Sequence, residues 1–106
     1  MISPAMPKLY VYLGLMVFFY SNEHEPIHVH GFCQGRECKA ELTVRHGKVV
    51  KITFTTVSKR PPLRPGELTN FKKLVRVKAN EIVQKWIDYF VLHRDITPVK
   101  ITRRLP

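Results

Sequence analysis

Phe18-Phe19-Tyr20-Ser21-Asn22-Glu23-His24-Glu25-Pro26-Ile27-His28-Val29-His30 is the stretch whose reading decides the fold. An aromatic segment runs into small, polar and charged turn formers, and these give way to a segment that alternates apolar residues with imidazoles. That order is the pattern of strand, loop and strand. On the second strand Ile27 and Val29 share one face, and His28, His30 and Phe32 share the other. The stretch holds three of the five histidines and two of the eight carboxylates, so any chemistry and the first sheet pairing begin in the same place.

Upstream, residues 9–13 and 15–20 are apolar, aromatic and β-branched around Gly14. They are read as two short strands about a tight bend, or one strand bulged at the glycine. Downstream, Gln34-Gly35-Arg36 makes a turn, and residues 37–44 alternate again. In that strand Cys38, Ala40, Leu42 and Val44 face one way and Glu37, Lys39, Glu41 and Thr43 the other. His46-Gly47 is a two-residue hairpin signal, and residues 49–57 form the return strand. The prolines of Lys59-Arg60-Pro61-Pro62-Leu63-Arg64-Pro65-Gly66 forbid helix interior and central strand alike, which makes residues 59–66 a linker. From Glu67 the period turns helical: Leu68, Phe71, Val75, Ala79, Ile82, Val83, Trp86 and Phe90 fall on one stripe. Glu67 at its start and His93-Arg94 at its end suit the helix dipole. Val77 lies opposite the stripe and Leu74 on its flank, so residues 76–80 leave room for a kink. Residues 95–106 are a basic tail or a final strand.

The expected fold is α+β, a mostly antiparallel β-meander of about five strands with one long C-terminal helix packed across it and a short final strand or tail. All 106 residues make one domain, with residues 1–5 a loose leader. At 44% hydrophobic and 25% charged residues, disordered and fibrous classes are excluded. The apolar run 9–19 is short of a membrane span and lacks a small-residue cleavage site, so no membrane association is expected. Cys33 and Cys38 are too few for a disulfide scaffold and point to a cytoplasmic chain with reduced thiols. Their spacing is wider than C-x-x-C, and small core or facing hairpin positions suit them.

Charge is the unusual quantity. The net +10 is lopsided: residues 1–58 carry six bases against four acids, and residues 59–106 twelve against four. Such a chain suits nucleic acid, an acidic protein or an anionic surface. Lys59, Arg60 and Arg64 in the linker and Arg103 and Arg104 in the tail would form a phosphate-binding patch if they meet in space. Lys73, Arg76, Lys78 and Lys85 divide between two helix flanks and read as solvated. Aromatics do not interleave with the basic segments, so contact would be to the nucleic-acid backbone.

The run Phe19-Tyr20-Ser21-Asn22-Glu23, followed by Glu25-Pro26 and His28-Val29-His30, resembles the signature of a family of small prokaryotic proteins known as domain of unknown function 4160. The similarity continues at Glu67-Leu68 and over Ile82-Val83-Gln84-Lys85-Trp86-Ile87-Asp88-Tyr89-Phe90, and extends from Met6 to about Phe90. Ile27 stands where many members have a second proline. The resemblance implies no settled activity. It does imply a small partner protein from a neighbouring gene, in a layout like that of toxin–antitoxin modules.

His28 and His30 project from one strand face about 6.6–7 Å apart at the backbone, which leaves three uses open. They form an acid–base pair, one taking a proton from an RNA 2′-hydroxyl and the other protonating the leaving oxygen. They chelate a metal, if Glu23, His24, Glu25 or a neighbouring strand adds a third ligand. Or they are structural, bonded to Ser21, Asn22 or Glu23 and holding the loop. Glu23 is the candidate for orienting an imidazole in the acid–base use, which needs no cofactor. Ser21 and Asn22 build the turn and stand as binding residues; no nucleophile-elbow glycines surround Ser21. The expected function is RNA or other nucleic-acid binding with a paired-histidine site. The alternatives are a non-enzymatic module for an acidic partner protein and a His-x-His metal-binding module.

Overall fold

The computed structural model describes residues 6–22 and 26–106; the leader 1–5 and Glu23 lie outside them. The first hairpin is β1 (Lys8–Tyr12) and β2 (Leu15–Phe18), followed by β3 (His28–Cys33), β4 (Arg36–Arg45) and β5 (Lys48–Thr56). Helices α1 (Pro65–Val77) and α2 (Ala79–Trp86) come next, then a π-helical turn over Ile87–Val91 and a last strand, β6 (Val99–Ile101). Six strands form one sheet in the order β5-β4-β3-β2-β1-β6. Neighbours are antiparallel except β6, which lies parallel to β1. The α+β class and the mostly antiparallel sheet are as the sequence implies.

Local chemistry sets the meander. Leu13-Gly14, Gln34-Gly35 and His46-Gly47 each place two successive residues at positive φ, the geometry that matches the twist of a two-residue hairpin. Glycine at the second position removes the Cβ penalty there. Pairing across β3 and β4 sets Val29 opposite Ala40 and Gly31 opposite Cys38, with His28 opposite Glu41, His30 opposite Lys39 and Phe32 opposite Glu37. The first set faces the helices. A Cβ on Gly31 would stand 2.6 Å from the Phe71 ring, so α1 lies directly on this strand. Phe71, Leu74, Val75 and Ile82 are fully buried here against Leu9, Tyr10, Val17 and Val29. Leu63 is 5% exposed and anchors the linker into the same core.

One long helix is not what forms. The stripe that runs from Leu68 to Phe90 in the sequence is carried by two short helices and a π turn. Lys78, at φ −101° and ψ 15°, breaks the helical path, although its N–H still reaches the Leu74 carbonyl at 2.9 Å. The break turns α2 so that Glu81 accepts from the Tyr10 hydroxyl at 2.9 Å and Trp86 meets Phe19 at 5.4 Å. Burial, then the Glu81 hydrogen bond, push the Tyr10 hydroxyl far above its ordinary pKa. The chain leaves the π turn through His93 at φ 55°, with Arg94 N–H on the Asp88 carbonyl at 2.8 Å. Among the described residues no helix is long and apolar enough to cross a membrane.

Candidate functional site

The two histidines share one sheet face, but that face is closed around them. His28 is 7% exposed and His30 2%. Their rings stand 5.2 Å apart between centroids. His28 packs on Trp86 at 5.4 Å, while Phe18 stacks on His30 at 5.6 Å and Tyr20 meets it edge-on at 4.6 Å. The Nδ1 of His28 lies 2.7 Å from the Pro26 carbonyl, and a carbonyl can only accept, so Nδ1 carries the proton. The Nδ1 of His30 lies 2.9 Å from Glu37 Oε2.

Glu37 is the residue the sequence reading missed. It is fully buried, at 0% exposure, on a strand whose other polar side chains reach solvent. Three groups converge on its carboxylate: the His30 ring, the Tyr20 hydroxyl at 3.2 Å from Oε2, and Arg60 Nε at 3.5 Å from Oε1. A buried carboxylate needs such company, because leaving it unpaired costs several kcal/mol. The alternation of β4 puts Glu37 on the histidine side, and its pairing with Phe32 brings it alongside His30. That register was the available signal.

Arg60 stands half exposed above this buried cluster. Its guanidinium lies over Phe32, 5.5 Å from the ring centre, with Nε turned to Glu37. The backbone around it is pinned: Arg60 N–H reaches the Val57 carbonyl at 3.2 Å and Glu37 N–H the Pro61 carbonyl at 3.0 Å. Arg36 Nη1 donates to the Pro62 carbonyl at 3.1 Å. The linker is therefore stitched to the β3–β4 turn.

Strand direction decides what shares this end of the molecule. β1, β3, β5 and β6 all run the same way, so the turns after β1 and β3, the linker after β5, the start of α1 and the tail after β6 lie at one end. Arg36, Lys59, Arg60, Arg64, Arg103 and Arg104 are all carried there. Arg64 precedes Pro65 and accepts the first helical bond from Leu68. Its Nη1 donates to Gln34 at 2.9 Å, and its N–H donates to Glu67 at 2.8 Å. That N–H, opposed by partial burial and aided by the Cys33 thiol and the Arg64 charge, holds the Glu67 carboxyl below its usual range. Arg104 Nη1 donates to Asn70 on α1 at 3.4 Å, and Leu105 N–H to the Tyr12 hydroxyl at 3.0 Å, so the tail folds back onto the helical side. Lys59 and Arg103 are exposed.

The remaining candidates lie apart. Ser21 is half-buried and lines a cleft of about 300 Å³ with Tyr89, Phe90, His93, Arg94 and Asp95, and Asn22 is exposed in the turn. Glu23, His24 and Glu25 lie outside the described residues. Among the described residues no three His, Cys, Asp or Glu side chains converge as a metal would require. Cys33 and Cys38 are free and buried on the helix side, where burial pushes both thiols up; thiols so held are poor nucleophiles. The helix cations are engaged locally: Arg76 lies over Phe54, Lys85 over Tyr10, and Lys78 pairs with Glu81 at 3.3 Å.

An α+β fold whose sheet buries a histidine–glutamate pair beneath a cationic end is the class these features define. The chain belongs to the family described as Domain of unknown function (DUF4160), whose profile matches residues 14–87, well over half of the sequence. No curated protein and no solved structure matches it.

Proposed function

We propose that this protein binds nucleic acid, RNA in the first instance, by gripping the phosphate backbone with its basic end. The observation that carries the reading is that Arg36, Lys59, Arg60, Arg64, Arg103 and Arg104 stand at one end of the sheet, spread from its β5 edge to its β6 edge. Five of these six are arginines, whose planar forks match phosphate oxygens two at a time. The acids carried at this end, Glu37 and Glu67, are occupied by groups of the chain itself. An acidic protein partner is the less favoured reading. Stable protein interfaces centre on desolvated aromatic and apolar side chains, and of the exposed large apolar residues described only Leu13 stands at this end.

Burial makes His28 and His30 structural in this reading, since side chains so enclosed offer a 2′-hydroxyl no approach. The test is fluorescence anisotropy of a labelled single-stranded RNA 20-mer and a duplex DNA of equal length between 50 and 200 mM salt. Affinity is expected to fall steeply as salt rises, with little dependence on sequence. Absence of salt-dependent binding ends the proposal, and capture of an acidic protein in place of either oligonucleotide favours the other reading. RNA should remain intact throughout. Cleavage lost in folded His28→Ala would restore the acid–base pair.

A further inference from the structure

The geometry points to Glu37 and His30 as positioning residues for Arg60, which we take to be the phosphate-gripping cation at the centre of the basic end. The inference rests on the nucleic-acid reading and says which arginine does most and what makes it do so.

Among the six cations only Arg60 has its charged group fixed from beneath by a fully buried carboxylate. An exposed arginine must give up rotamer freedom when it meets a phosphate. Arg60 has surrendered much of that freedom already. The guanidinium lies over the Phe32 ring, its Nε is ion-paired to Glu37 at 3.5 Å, and the linker backbone is bonded on both sides of the residue. The tether uses Nε, and among the described residues Arg60 makes no other side-chain polar contact, so the edge formed by its two terminal nitrogens remains for a ligand. That edge takes two phosphate oxygens at once. Glu37 is fixed in turn: the His30 ring sits on Oε2, the Tyr20 hydroxyl reaches both oxygens at 3.2 and 3.4 Å, and Oε1 also faces Arg60. His30 is itself clamped between Phe18 and Tyr20. The aromatic and imidazole part of the stretch that opens the fold thus ends, two contacts later, on a surface cation.

This arrangement gives a test whose sign separates positioning from bulk charge. Removing a carboxylate from a cationic surface strengthens phosphate binding if only net charge matters. If Glu37 positions Arg60, Glu37→Gln weakens it, because the amide presents an N–H₂ to the guanidinium and the tether is lost. With the same RNA 20-mer, Arg60→Ala is expected to bind about tenfold more weakly, with a salt slope lower by about one. Glu37→Gln is expected to bind about threefold more weakly despite its added positive charge. In the Arg60→Ala background, Glu37→Gln should leave affinity unchanged or raise it. Circular dichroism and melting establish that each variant is folded. Arg60→Lys supplies the check where Glu37→Gln does not fold, since it keeps charge and stem but loses the fork; a loss of several-fold is expected. Wild-type affinity in Arg60→Lys, or wild-type or tighter binding by folded Glu37→Gln, overturns the inference while the nucleic-acid reading stands. A wild-type protein that binds no oligonucleotide overturns both.

Discussion

Gly31 and His30 are neighbours on β3, and the two faces of the sheet are closed in opposite ways beneath them. On the Gly31 side the Phe71 ring lies where a Cβ would be, and the core around it is aliphatic and aromatic. On the His30 side the closure is polar: an imidazole, a carboxylate, a phenol and a guanidinium, with Phe18 and Phe32 as walls. Apolar closure is non-directional and tolerates exchange of shape for shape. Polar closure is stoichiometric, since each buried donor or acceptor must find a specific partner. The first face therefore carries most of the stability, and the second fixes where particular atoms stand.

The largest expected effect lies at a ring that belongs to the apolar core and also walls His28. Trp86→Ala removes a ring that Phe19, His28 and Phe90 pack against, and denaturant unfolding should register a loss of about 3–5 kcal/mol. Gly31→Ala forces its methyl into Phe71; about 1–3 kcal/mol is expected, and a melting temperature equal to wild type would mean α1 does not lie on β3 as described. On the polar side the telling result is a coupling. His30→Leu alone should cost about 1–3 kcal/mol, because Glu37 loses its closest partner, whereas His30→Leu with Glu37→Leu should cost less than the two single losses combined. Strict additivity in that cycle would dissolve the distinction between the faces. Tyr10→Phe should cost about 1 kcal/mol through the lost Glu81 bond.

The smallest effect is one of pH. Glu67 has its folded pKa held below the unfolded value, so its contribution is complete above the unfolded carboxylate range and is lost as pH falls through the folded pKa. Wild type should therefore exceed Glu67→Gln in melting temperature at neutral pH and converge with it in acid. A gap that persists at low pH would assign the effect to packing.

Much of this fold is legible before any coordinates. The X-Gly dipeptides mark the hairpins because only positive φ at both turn residues matches strand twist. The prolines of 59–66 mark the linker because they cannot donate a backbone bond. The break at Lys78 is not legible, since a hydrophobic stripe records which side of a helix is buried and is blind to the direction of its axis. Nor is the burial of His28 and His30: alternation places them on one face, but their closure depends on Phe18, Tyr20 and Trp86, which come from other elements. Glu37 stays hidden because one carboxylate of the two on the same strand face is singled out only by its register against β3. The basic end was half legible. Counting hairpins gives the strand directions and brings the linker to the β3–β4 turn, but the parallel return of β6 that delivers Arg103 and Arg104 has no local signal.

That last strand also bears on how the molecule comes into being. Every other pairing in the sheet joins segments adjacent in the chain, each able to zip as soon as its hairpin exists. β1 must hold its outer edge unpaired until almost the entire sequence has followed it, and the loop then closed is the longest the sheet contains. Assembly of the sheet thus begins with its hairpins and ends at β1, so a chain caught before that step would present the β1 edge as a raw seam to its neighbours.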